Sequence, residues 1–389
     1  MTVRVNKPEF NLREKLTELE RPIGLKGSEL MRAETTQEAR DFIGACRKNL
    51  VINGDMRINQ RGSGVLTGST AFPVDRVKSY VGYGNCSVEQ YSLSSGDGPP
   101  TQRFNHSLRV TSTHGNLTAS HSYAQINYRL EHTDLFNSGW DYTGHSSHNN
   151  YLTISFWVRS SVNSDFNWMF LSHDGTPQVF RAKLVPCNGG VWKKIIARVP
   201  PNPNITLNNS VGNGASLYLF PMAGTVYTSS TSNLDGWETW SGSDKYGIGG
   251  DNGIPWGGTS GATFDITGLQ IEVGKNATEF EHRSYGEELA LCKRYYQRMG
   301  DTNTNEIVLG GYSVSGSAIY HTITLPVEMR VVPTLTQVGT FYTVHTGQPV
   351  SLSGHVGRKG FGVAHTTTGD GYFLIASSDV RYFVLDAEL

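Results

Sequence analysis

Charge of either sign is scarce in this chain of 389 residues: 17% are charged, and 33 Lys plus Arg against 34 Asp plus Glu leave a formal net charge of −1. Without a basic excess there is no electrostatic footprint for nucleic acid or an anionic membrane surface, so neither partner is expected. Long hydrophobic runs are missing too. No stretch approaches the roughly 18 consecutive apolar residues of a membrane span. The opening MTVRVNKPEFNLREKL lacks the apolar core of a secretion signal, so the protein is expected to fold where it is made. Cysteine is rare: Cys46, Cys86, Cys187 and Cys292 stand apart with no CxxC pair, which speaks for reduced, mostly structural thiols rather than a zinc site or disulfide framework. What is abundant is glycine, 44 residues, with 18 Tyr, 16 Phe and 7 Trp, a composition suited to short strands closed by turns.

Residues 1 to 48 differ from the rest in being charge-rich and poor in glycine and aromatics. Leu12, Leu16 and Leu19 form a narrow helical stripe stopped by Pro22. In AETTQEARDFIGA, Thr35 and Glu38 have capping-box spacing, Phe42 and Ile43 are apolar, and Gly44 sits where a helix ends. Helices this short cannot bury a core alone and must dock elsewhere. From Asn49 to Arg283 the pattern turns to period two. Leu152, Ile154, Phe156 and Val158 oppose Thr153, Ser155, Trp157 and Arg159; Ala124, Ile126, Tyr128 and Leu130 oppose Tyr123, Gln125, Asn127 and Arg129. Val191, Ile195, Ala197 and Val199 oppose Trp192, Lys194, Ile196 and Arg198, and Leu217 and Leu219 oppose Tyr218 and Phe220. Parity shifts between Ile266 and Leu269, which predicts a bulge around Gly268. The expected fold class is mainly β: a jelly-roll sandwich over 49–283, a linking helix over 284–300 opened by the Ser284–Glu287 capping box, and a small β domain over 301–389.

If aliphatic residues fill the core, then Trp157, Trp192, Tyr218 and Phe220 stand on outer faces beside Arg159 and Arg198. Flat rings beside planar hydrogen-bonding groups suit a sugar, a subunit interface, or a second layer buried under loops. Trp237, Trp240 and Trp256 lie in a long Gly/Ser-rich connection, read as a receptor-touching loop or as tryptophans packed down on the sandwich. No cofactor or metal is expected: His145 and His148 lack a third ligand at close spacing, and the Asp174 and Asp251 stretches lack the alternating oxygen ligands of a calcium loop. Asp134, Asp141, Asp165, Asp174, Glu238 and Asp265 show no recognisable acid–base pair, and there is no GxSxG or HExxH, so a non-enzyme is expected.

VNKPEFNLREKL, LKGSELMRAETTQEARDFIGA and RKNLVINGDMRINQRG together resemble the N-terminal portions of tail fibre proteins of bacteriophages that infect marine cyanobacteria. LTISFWVRSS and GATFDITGLQIEVGKNATEFEHRSYGEELALCKRYYQ look like signatures of the carbohydrate-binding-like jelly roll of phage tail proteins, and TLPVEMRVVPTLT resembles a stretch of distal fibre domains. The resemblance implies a virion tail component, assembled in the host cytoplasm as a homotrimer. It implies that residues 1–48 anchor it to tail adaptor or nozzle proteins, through side chains such as Leu12, Leu16, Leu19, Phe42 and Ile43, while the β domains face a host glycan or protein. The alternatives are a polysaccharide-degrading tailspike and a purely structural tail decoration. Places where calcium-binding relatives carry acidic residues read Met56 and Arg57, then Thr267 and Gly268, which argues against a structural calcium.

Overall fold

The computed structural model describes residues 49–62, 64–67, 70–82, 86–100, 103–113, 122–145, 150–187, 189–229, 235–241, 247–248, 253–300, 307–313, 318–342, 349–366, 371–376 and 381–389. The expected N-terminal helices, with Leu12, Leu16, Leu19, Phe42 and Ile43, lie outside them, as do His148 and Asp251. Residues 49–389 form one compact unit.

Fifteen strands precede the main helix: β1 (Leu66–Thr67), β2 (Thr70–Val74), β3 (Val77–Gly82), β4 (Cys86–Ser92), β5 (His106–Ser112), β6 (Tyr123–Glu131), β7 (Leu152–Ser160), β8 (Ser164–Ser172), β9 (Gln178–Cys187), β10 (Lys193–Val199), β11 (Asn213–Ala223), β12 (Thr228–Ser229), β13 (Gly236–Thr239), β14 (Gly247–Ile248) and β15 (Thr263–Val273). Thirteen of them build a six-stranded sheet, β1-β4-β5-β15-β7-β10, and a seven-stranded sheet, β13-β9-β8-β11-β6-β3-β2, while β12 and β14 form a short parallel pair. The strands of both large sheets are antiparallel, and the jump from β5 to β15 to β7 is the crossover of a jelly-roll β-sandwich. Alternation decides what fills the space between them. Ile126, Tyr128, Ile154, Phe156, Phe166, Phe170, Leu217, Leu219 and Phe264 turn inward and pack as one core. The predicted bulge is present: β15 slips against β7 between Thr267 and Gln270, where Gly268 has φ +64°. Two short helical turns interrupt the β region, α1 (His132–Phe136) and α2 (Ile254–Gly257).

Residues 49–60, expected to open the β region, form no strand and instead run buried into the molecule. Asn53, at φ 61°, uses its side chain to bridge Ile58 and the Asp75 carbonyl, while its amide N–H donates to Glu288. Helix α3 (Tyr285–Lys293) starts at Ser284 with both halves of the capping box in place. It stops a turn and a half before the expected Gly300, because Tyr296–Met299 leaves the helix as strand β16 to pair with the last strand. Eight more strands follow: β17 (Ile307–Ser313), β18 (Ala318–Thr324), β19 (Thr334–Val338), β20 (Phe341–Tyr342), β21 (Pro349–Gly357), β22 (Gly360–Thr366), β23 (Gly371–Ala376) and β24 (Tyr382–Asp386). They enclose a second small core around Phe341, Phe361, Phe383 and Leu385.

Candidate functional site

Cross-strand register sets the chemistry of the outer face of the seven-stranded sheet. One row runs Lys78 (β3), Asn127 (β6), Tyr218 (β11), Met169 (β8) and Arg181 (β9); the next brings Arg129, Ser216 and Leu171 level. On the other side, Tyr80 pairs with Gln125. All of these except Arg181 and Ser216 line an open cleft of about 490 Å³ together with Tyr123, His173, Pro177 and Trp240. That volume falls within the roughly 300–1,000 Å³ of ligand sites.

The cleft has rings at both ends and amides between them. Tyr80 and Tyr123 stack, with centroids 5.7 Å apart and planes 10° apart, and Tyr227 meets Tyr123 edge-on at 4.7 Å. At the other end Trp240 is held by its backbone N–H, which donates to the Pro177 carbonyl at 2.8 Å, and by the Arg181 guanidinium 5.6 Å from its ring. Arg181 is itself ion-paired with Glu238. The floor is apolar: Met169, Leu171, Val179 and Phe220 form a small buried cluster outside the main core, with Tyr218 and Trp240 packed on it. Burial first, then the neighbouring Arg129 and His132, push His173 down to about 4, so its imidazole is neutral at neutral pH. Its Nε2 lies 2.8 Å from Ser216 Oγ. Rings give flat apolar faces, and amides and guanidinium give planar donors and acceptors; together they hold a polyhydroxylated ligand in orientation. Among the described residues, those lining the cleft include no carboxylate.

The side chains singled out in sequence divide three ways. Tyr218 and Trp240 belong to the cleft, and Phe220 lies beneath them, 1% exposed and stacked on Tyr218. Trp157, Phe220 and Trp256 are corrections to the reading as exposed contacts, since all three are buried, Trp256 as the packed-down alternative has it. Trp256 is wholly inside the main core, seated by α2 beside Phe264, and Trp237 packs at the core margin against Phe170 and Phe180 with its Nε1 donating to the Pro200 carbonyl. Arg159 and Trp192 sit together on the six-stranded sheet, away from the cleft. Arg109, Asp265, Arg159 and Asp97 form a chain of ion pairs there, capped by Tyr91 over Arg109 and Trp192 over Arg159. Trp192 Nε1 donates to the Asp97 carbonyl, so its polar edge is also committed. Arg198 is exposed and donates to the Lys275 carbonyl. Asp174 faces His132 and accepts from the Asn208 amide, so its loop is closed by protein groups. Sequence reading missed Lys78, Tyr80, Met169, Leu171 and His173; the alternation of Val77 and Val81 against Lys78 and Tyr80 was the available signal.

The layout defines a jelly-roll β-sandwich with a ring-flanked polar cleft on one sheet. No protein-family model matches the chain, and no curated protein matches it. Among solved structures the chain is similar to the family 11 carbohydrate-binding module of the cellulosomal cellulase Lic26A-Cel5E of Clostridium thermocellum, at 14% identity and a TM-score of 0.25 over 57% of this chain and 99% of that one. It is also similar to TmCBM61 in complex with β-1,4-galactotriose, at 10% identity and a TM-score of 0.27 over 58% and 99%. A third is the enzymatically active domain of tailspike protein 4 of bacteriophage CBA120, at 10% identity and a TM-score of 0.27, where the match spans 58% of this chain and 21% of that one. At these scores the likenesses carry no functional inference.

Proposed function

We propose that this chain is a glycan-binding adhesion protein and that the cleft on the seven-stranded sheet is where it holds sugar. The observation that carries the reading is the pairing of Tyr218 and Trp240 with Gln125, Asn127 and Arg129 in one register-fixed cleft. Sugar CH faces stack on the rings while hydroxyls meet the amides. The finer reading is a phage tail fibre that attaches through its N-terminus and recognises a host surface as a homotrimer; it is supported by the resemblance of the first 65 residues to cyanophage tail fibres. Weak contacts multiplied over three chains would then give avidity without a deep pocket. Binding without cleavage is part of the proposal; glycosidic hydrolysis uses a pair of carboxyl groups, and the described lining residues supply none. Affinity electrophoresis of the full chain in gels containing host-envelope polysaccharide tests it. Retardation that Tyr218→Ala or Trp240→Ala abolishes, with no reducing ends released, is the expected result. Reducing-end release or indifference to both substitutions would overturn it.

A further inference from the structure

Two cations gather at one end of the cleft. Lys78 on β3 pairs with Asn127 of β6, so Arg129, two residues further along β6, is its diagonal neighbour on the same face, the spacing at which long side chains meet. Among the described residues Lys78 has no carboxylate within ion-pair distance. Arg129 donates through Nη1 to the carboxyl oxygen of Leu389, the last residue of the sequence, and its Nε is buried with no acceptor among the described residues. The Lys78 ammonium lies 5.9 Å from the centre of the Phe72 ring. The carboxylates whose fields reach it, Asp386 and Glu388, are engaged with Arg61 and Arg76. Burial and then the Arg129 charge hold Lys78 below the ordinary lysine range, so its cationic form is under-compensated as it stands. The neutral His173 adds no charge.

A second observation points independently to a ligand. Asn127 is 2% exposed and lies between the two cations and Tyr218, yet its Oδ1 finds no hydrogen-bond partner. Buried acceptors left open in this way cost free energy, and a donor arriving from the cleft would remove that cost.

We infer that the cleft selects a sugar bearing an anionic substituent, with Lys78 and Arg129 receiving the negative group and Asn127 Oδ1 accepting from an adjacent hydroxyl. This rests on the glycan reading and narrows it. Guanidinium suits both carboxylate and sulfate, the two common anionic groups on polysaccharides.

Calorimetric titration of the full chain with three probes decides the matter: oligogalacturonate, its carboxyl-reduced neutral counterpart, and a sulfated galactan oligosaccharide. At least one anionic probe is expected to bind about tenfold or more tightly than the neutral one, with the gap closing as salt is raised. Which probe wins tells carboxylate from sulfate. Lys78→Gln should lower the preference by about tenfold while leaving neutral-sugar affinity in place, and Arg129→Gln should weaken the anionic probe more than the neutral one. Lys78→Glu, at a half-buried position, should reverse the preference, and Arg129→Lys should keep much of it. Equal affinity for neutral and anionic probes would overturn the anion selectivity while leaving the glycan reading intact. Failure of these probes and of a broad neutral panel alike would overturn both.

Discussion

Tyr218 and Phe220 stand two residues apart on one face of β11 and stack at 6.2 Å, but they do different work. Tyr218 reaches the cleft, whereas Phe220 is 1% exposed and supports it from below. Tyr218→Ala is therefore expected to weaken glycan binding with little change in thermal midpoint. Phe220→Ala is expected to cost about 3–5 kcal/mol of stability, as large-to-small changes at buried aromatics do, and denaturant unfolding read beside a binding assay separates the two. Two titrating groups pull stability in opposite directions. Burial outweighs the nearby Arg61 and raises Asp75 to about 6, so the folded state holds its proton more tightly than the unfolded chain does. Its contribution is present below about pH 4 and is lost as pH rises through about 6, worth about 3 kcal/mol. His173, held down to about 4, contributes stability above about pH 6.5 that is lost as pH falls through about 4. Between about pH 4 and 6 the slopes oppose. Asp75→Asn should leave a profile that rises with pH and His173→Asn one that falls; unchanged profiles would refute the assignment. Sequence alternation placed Tyr218, Phe220 and Trp157 on outer faces correctly. It did not show that Phe220 and Trp157 are buried there, because parity tells which face a side chain occupies and not what lies over that face.

At the scale of elements, local signals with a single physical cause were legible. The parity break in β15 located the bulge, and the Ser284–Glu287 spacing located the start of α3. A Cβ on Gly268 would fall 2.6 Å from the Phe104 ring, and φ +64° disfavours any side chain there. Gly268→Ala is expected to cost about 1–3 kcal/mol or more, with the loss seen as a lower denaturation midpoint. By contrast, Ser284→Ala removes a cap from an exposed helix start and should cost only about 1 kcal/mol. Elements defined by distant partners were not legible. Tyr296–Met299 reads as the end of a helix and becomes β16 because β24, some ninety residues later, supplies its hydrogen bonds. Strands β21 and β22 do alternate, with Val350, Leu352 and Val356 on one and Phe361 and Val363 on the other, but Gly, Ser and His between them dilute the signal; a hairpin turning at Arg358–Lys359 pairs them. The NGDMRINQRG stretch, which carries part of the family resemblance, is a packing device: Asn53, Gln60 and Arg61 all converge on Asp75 at the β2–β3 turn.

Within the compact unit, the seam between the two larger hydrophobic cores carries a set of polar contacts beside a small apolar cluster of Ile52, Ile58, Cys292 and Tyr295. Arg294 grips Glu131 of β6 with two 2.9 Å bonds, Arg330 donates to the carbonyls of Val211 and Ala387, and the Ala387 amide donates to the Tyr295 carbonyl. At its centre Arg76, from the β2–β3 turn, bonds Glu388 at 2.5 Å and lies 3.4 Å from the centre of the Tyr295 ring. Burial alone opposes the charge on Arg76, and Glu388 more than offsets it. Arg76 is 3% exposed, so loss of its partner strands a cation that water cannot reach. Breaking a buried pair from one side typically costs about 3–5 kcal/mol, whereas replacing both members with apolar residues of similar volume is often neutral or better. Glu388→Ala is expected to lower the denaturation midpoint by an amount in that range, and Arg76→Met combined with Glu388→Leu should recover most of it. Lys78 stands close enough to feel Glu388 and Asp386, so the single substitution should also strengthen the positive field at that end of the cleft. A loss of under about 0.5 kcal/mol, the size of an ordinary surface change, would mean that the seam is solvated and that the C-terminal strands hold their place by other contacts.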